Sequence, residues 1–144
     1  MNHPIAKGKV EHLAINGKPV TEVMFDLNGP VGDIHSGFER KLSGHDNVYI
    51  ATSNLKKGAP VFNWRTWTGL SWEELAEIEE ALDHKIPEGC LLENITFSGI
   101  PNFSKLEPGS RLVLPYYNEG GITTQAILAI WEENAPCATG RQKT

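Results

Sequence analysis

Four short stretches carry side chains able to do chemistry. In "NGPVGDIHSGFERK", Asp33 and His35 stand two residues apart, with Arg40 and Lys41 just beyond. In an extended segment such a pair points to one side. It suits a metal site, with a neutral imidazole as ligand and the carboxylate as co-ligand or orienter. It equally suits a proton relay. An Asx turn followed by a hydrogen-bonded loop histidine is the plainer alternative, and the spacing leaves all three open. In "FNWRTWTG", Arg65 lies between Trp64 and Trp67. Held against an aromatic face, a guanidinium makes a rigid fork for phosphate or carboxylate. The alternative is two core tryptophans with Arg65 reaching out to solvent.

The third stretch, "PEGCLLENITFSG", holds Cys90, Glu93 and Asn94. Asn94 can satisfy buried backbone groups or contact a ligand. Cys90 has apolar neighbours and no nearby cation, so it reads as a packing residue. The fourth, "NAPCATGR", holds Cys137 behind the stiff Pro136 and ahead of Arg141. A thiol beside a guanidinium is a nucleophile or a soft-metal ligand; otherwise it is an exposed tail thiol.

These residues need a scaffold, and the composition describes one. The chain has 144 residues, 40% hydrophobic and 22% charged, as expected of one globular domain with its own core. A formal net charge of -5 and the lack of a dense basic block argue against a nucleic-acid partner. No apolar run is long enough to cross a bilayer, and "MNHPIAKGKVEH" lacks the pattern of a secretory signal. A cytoplasmic location follows. There the two cysteines, which form no CxxC, are expected as free thiols.

The 14 glycines and 9 prolines cut most of the chain into short segments, which favours a mostly β fold. Val10 to Ile15 and Val20 to Phe25 read as a hairpin about Asn16-Gly17. Val48 to Ala51, Pro60 to Trp64, Ile95 to Phe97, Arg111 to Leu114 and Gln125 to Trp131 read as further strands. One helix is predicted over about 71–84. Ser71 and Glu74 form a capping box, and Trp72, Leu75, Ile78 and Leu82 repeat at helical spacing for one buried face. Glu73, Glu74, Glu77, Glu79 and Glu80 read as its solvated face.

Taken in order, Gly32-Asp33-x-His35, "SWEEL", "LLENITFSGI", "LEPGSRLVLP" and the late Pro136-Cys137 resemble the MOSC domain. This is the family related to the C-terminal domain of molybdenum cofactor sulfurases. The pieces span about Val10 to Cys137 and look like a small stand-alone bacterial subgroup. The resemblance implies a single MOSC-like β-barrel over 1–144, with short additional helices or turns. It implies that Cys137 ligates molybdenum or the Mo-pterin molybdenum cofactor, or carries sulfur as a persulfide, with Asp33 and His35 lining the pocket. Arg40, Arg65 and Arg111 are candidates for the cofactor's phosphate on charge alone, and Asn94 for a cofactor contact.

The implied functions are reduction of N-hydroxylated compounds, with electrons from a partner protein, or sulfur carriage after a cysteine desulfurase. No pyridoxal phosphate is expected, since that chemistry belongs to a separate domain. Longer MOSC proteins continue past the cysteine. A shortened barrel would leave a sheet edge for a second subunit to cover, as a homodimer.

Overall fold

The structure, a computed structural model, describes residues 6–117, 120–121 and 123–130. Strand β1 (Lys9–Ile15) runs into Asn16 and Gly17, whose φ angles are 51° and 78°. Two positive φ values in succession define the type I′ turn that asparagine and glycine accept most easily. The chain returns as β2 (Lys18–Val20), antiparallel, with Ile15 opposite Lys18. The return was expected over Val20 to Phe25; it starts at once after the turn and ends at Val20. After Val20 the chain leaves the sheet and makes a separate hairpin of β3 (Phe25–Asp26) and β4 (Gly29–Pro30).

Beyond lie β5 (Glu39–Lys41), α1 (Asn47–Thr52), β6 (Pro60–Phe62), β7 (Gly69–Ser71), α2 (Trp72–Leu82), β8 (Ile95–Ser98), β9 (Arg111–Tyr117) and β10 (Thr123–Ala129). Four strands make one mixed sheet in the order β2-β1-β8-β7. Strand β1 is antiparallel to β8, and β7 is parallel to β8 across the α2 crossover. The pairs β3-β4, β5-β6 and β9-β10 are separate two-stranded sheets. The fold is mostly β, as expected, but the described strands do not close into a barrel.

The core is built where the mixed sheet meets the β9-β10 hairpin. Ile95, Phe97 and Phe103 are buried, with Leu13, Trp67, Leu112, Leu114 and Leu128 packed on them. Burying each of the three is worth roughly 1.5–3 kcal/mol. Alternation along β9 sends Leu112 and Leu114 inward and leaves Val113 exposed.

The predicted strand at Val48 to Ala51 is instead α1. The reason lies just upstream, where Ser43 and Asp46 form a capping box around a 3-10 turn, Gly44–Asp46, that feeds the helix. A capping box is a helix-start signal, and it outweighs the strand preference of Val48 and Ile50. Helix α2 starts as predicted, with the Ser71 hydroxyl accepting the Glu74 N–H at 3.2 Å, and ends at left-handed Asp83.

Two expectations for α2 are corrected. The Glu74 carboxylate does not reach back to Ser71; it accepts both the hydroxyl and the N–H of Ser104. Glu73 accepts the Gly99 N–H and Glu79 the Ile86 N–H, so three of the supposedly solvated glutamates tie the helix to distant backbone. In turn, the supposedly buried face is half exposed, with Trp72 at 43%, Ile78 at 48% and Leu82 at 51%. Among the described residues, no helix is long and apolar enough to cross a membrane.

Candidate functional site

The Asn16-Gly17 turn does more than reverse the chain. Its geometry aims Asn16 at the loop that carries Asp33 and His35. The Asn16 side chain donates to the Gly32 carbonyl at 2.9 Å and accepts from the Ile34 N–H. Its own N–H donates to Asp33 Oδ1 at 2.9 Å. Three hydrogen bonds therefore fix residues 32–34 against the hairpin tip. Asn63, which is buried, holds the other side of the loop by donating to the His35 and Gly37 carbonyls at 2.8 and 3.0 Å. Neither asparagine was identified from sequence as part of a site. Asn-Gly read only as a turn, and Asn63 had no distinguishing spacing.

Within this frame Asp33 and His35 come together. The Asp33 carboxylate is buried, and its Oδ2 accepts the His35 N–H at 3.0 Å, an Asx-type turn. The same oxygen lies 3.3 Å from His35 Nδ1, while the imidazole itself is 41% exposed. The turn and the pair, posed as alternatives, are thus one arrangement. With both oxygens already accepting backbone N–H groups, Asp33 is placed as an orienter beside Nδ1 of the ring. The partly exposed imidazole can accept a proton or ligate a metal. Among the described residues, no three or more His, Cys, Asp or Glu side chains are grouped to hold a metal ion.

Asp33→Asn removes the charge from a buried carboxylate that accepts two partly buried backbone hydrogen bonds. It is expected to lower stability by about 1–3 kcal/mol in urea melts. A change under about 0.5 kcal/mol would contradict this account of the loop.

Arg40 and Arg65 also meet, on a residue not singled out from sequence. Arg40 makes a bidentate pair with Asp46, at 2.8 and 3.0 Å, and Arg65 Nη1 lies 3.5 Å from the same carboxylate. The Arg40 guanidinium stacks 4.5 Å from the centre of the Trp64 ring, as the sequence suggested for Arg65. Asp46 is buried and also accepts the Ser43 N–H at 2.8 Å. Its carboxyl is held well below the ordinary value of 3.8, chiefly by the Arg40 hydrogen bonds and against the opposing effect of burial. The fork of Arg40 is therefore taken by the protein itself. Asn63 joins the two centres, since its Oδ1 accepts the Arg65 N–H at 3.1 Å.

The remaining candidates lie apart. Asn94 is fully buried and works as a clamp at the end of β8. Its side chain accepts the Thr68 N–H and donates to the Ala14 carbonyl, while its backbone bonds both residues in the opposite sense. Every polar group of Asn94 is then engaged in holding the sheet, apart from one side-chain hydrogen. Glu93 accepts the Gly89 and Leu91 N–H groups and shapes the turn that carries Cys90, a half-buried free thiol. Arg111 begins β9, exposed and in a different sheet. Cys137, with Pro136 and Arg141, lies outside the described residues.

Comparison with known proteins gives these centres a context. This chain is similar to YuaD of Bacillus subtilis. It is 30% identical over 122 residues to the YuaD of strain 168, provisionally named for metal-sulfur cluster biosynthesis. The match takes in 83% of this chain and 56% of YuaD, so the chain spans just over half the length of that curated relative. Against the crystal structure of YuaD the TM-score is 0.76 at 26% identity, covering 96% of this chain and 74% of the other. No family model matches.

The MOSC assignment is corrected on these findings. YuaD is named for metal-sulfur clusters and not for molybdenum, and the described strands form no closed barrel. The molybdenum cofactor expected with that assignment is set aside for the same reason.

Proposed function

We propose that the protein is a sulfur-handling module serving metal-sulfur cluster assembly, carrying sulfur as a persulfide on Cys137. The observation that supports this most is the similarity to YuaD, which extends over nearly all of the described fold. The donor is a cysteine desulfurase, and the acceptor is another protein of cluster assembly. In the transfer, the Cys137 thiolate attacks the terminal sulfur of the donor's persulfide. A new S–S bond forms on Cys137, the donor's S–S bond breaks, and the donor cysteine leaves as a thiolate. No outside oxidant or reductant is needed. Arg141, four residues on in the sequence, is the cation proposed to favour the thiolate. His35, with its partly exposed imidazole, is the group proposed to exchange the thiol proton. The chemistry suits a reducing compartment such as the cytoplasm, where free thiols persist.

The reading is tested by incubating the protein with a cysteine desulfurase and cysteine, then mapping the modified peptides by mass. The expected result is a gain of one sulfur on the Cys137 peptide. Cys137→Ser should lose it and Cys90→Ser should keep it. Sulfur found only on Cys90, or on neither thiol, overturns the proposal.

A further inference from the structure

The loops around His35 carry an unusual amount of bare apolar surface. Met24, Leu27, Ile34, Phe38 and Phe62 are each at least 61% exposed, and Val31 is 50% exposed. These side chains come from three segments that hydrogen bonds bring together. Val31 donates to the Met24 carbonyl, Gly37 to that of Asn28, and Asn63 to that of Phe38, all at 2.8–2.9 Å. Phe38 and Phe62 meet edge to face, with ring centres 5.4 Å apart. Phe38 and Phe62 touch, and the other four exposed apolar side chains come from the same hydrogen-bonded loops. Apolar surface gathered in this way marks an interaction site, whose standard size is roughly 800 Å² per partner.

The charges beside this surface indicate what fits it. Along β5, Glu39 and Lys41 are exposed while Arg40 between them turns inward to Asp46. Two residues apart on a strand, Glu39 and Lys41 face the same way and carry opposite signs. Phe62 stands opposite Glu39 and Pro60 opposite Lys41, both exposed on β6. A two-fold axis lying between two such hairpins sets Glu39 of each copy against Lys41 of the other. The pattern is therefore complementary to itself, as an isologous contact requires. A partner with a single sign of charge would meet repulsion at one residue or the other.

We infer that this surface is a homodimer contact, in which a second copy of the chain covers Phe38 and Phe62 with Glu39 facing Lys41 in both directions. The contact places the two His35 loops beside each other, so association state and access to His35 are linked.

The test is mass in solution, by light scattering and sedimentation, over a series of micromolar concentrations. The full chain should approach twice its monomer mass as concentration rises. Phe62→Glu, at an exposed position, should weaken association by about tenfold or more while circular dichroism stays unchanged. Lys41→Glu should weaken it several-fold by setting like charges together, and the double exchange Glu39→Lys with Lys41→Glu should restore it. A protein that stays monomeric throughout overturns the inference, and so would indicate a different partner for this surface. Dimers indifferent to Phe62→Glu, or a double exchange that fails to rescue Lys41→Glu, overturn it as well.

Discussion

Asp46→Asn is expected to cost the fold about 3 kcal/mol, toward the lower end for breaking a buried ion pair. The substitution keeps the shape and removes the charge. Arg40, whose side chain is 17% exposed, then has no counter-charge, and Arg65 loses its carboxylate neighbour. Acid should have a related effect on the unmodified protein. The folded Asp46 stays ionised well below its ordinary value of 3.8, whereas the unfolded chain takes up its proton near that value. The contribution is complete above about pH 5 and drains away as pH falls below about 4. Urea melts at a series of pH values should show this loss in the parent and a shallower one in Asp46→Asn. A cost under about 1 kcal/mol, with parallel pH profiles, would mean that Arg40 and Arg65 are solvated well enough to need no partner.

Gly89→Ala is the second large effect. At φ 81°, Gly89 lies so close to the hairpin tip that a Cβ would stand 2.3 Å from the Gly17 carbonyl oxygen and 2.5 Å from its carbon. Both are backbone atoms and cannot swing aside. The left-handed conformation costs a side chain about 1–2 kcal/mol, and the overlap brings the total to about 3 kcal/mol or more. Gly32→Ala is the control. Its φ is 88°, but a Cβ there meets nothing within 4 Å, so only the conformational cost of about 1–2 kcal/mol applies. Thermal unfolding should separate the two by several degrees. Equal losses would mean that the turn yields and that Gly17 and Gly89 need not touch.

How far the sequence announces this structure depends on the reach of each signal. Asn16-Gly17 and the Ser71 cap act within a few residues, and both the turn and α2 stand where predicted, although the return strand ends at Val20, where it was expected to begin. Helix α1 was missed although Ser43 and Asp46 marked its start, because an apolar run of four residues has no period of its own. The glutamates of α2 look solvated in the sequence because Gly99, Ser104 and Ile86 are brought to them only by the fold. Asp33 and His35, two residues apart, could be paired from sequence. The partner of Arg40 and Arg65 could not, since Asp46 is one acidic residue among 18. Asn16 and Asn63 act across 17 and 28 residues, a range over which spacing carries no signal.

The pairing of β1 with β8 bears on how the chain is made. Lys9 finds its partner in Ser98 and Leu13 in Ile95, so the paired residues lie more than 80 positions apart in the chain. At synthesis rates of roughly 5–20 residues per second, β1 leaves the ribosome roughly 4–16 s before β8 exists. Until then it has only β2, and a lone hairpin is marginal in water. The nascent chain thus holds a half-made sheet edge open through most of its translation, and that interval is when a wrong strand can most readily join it.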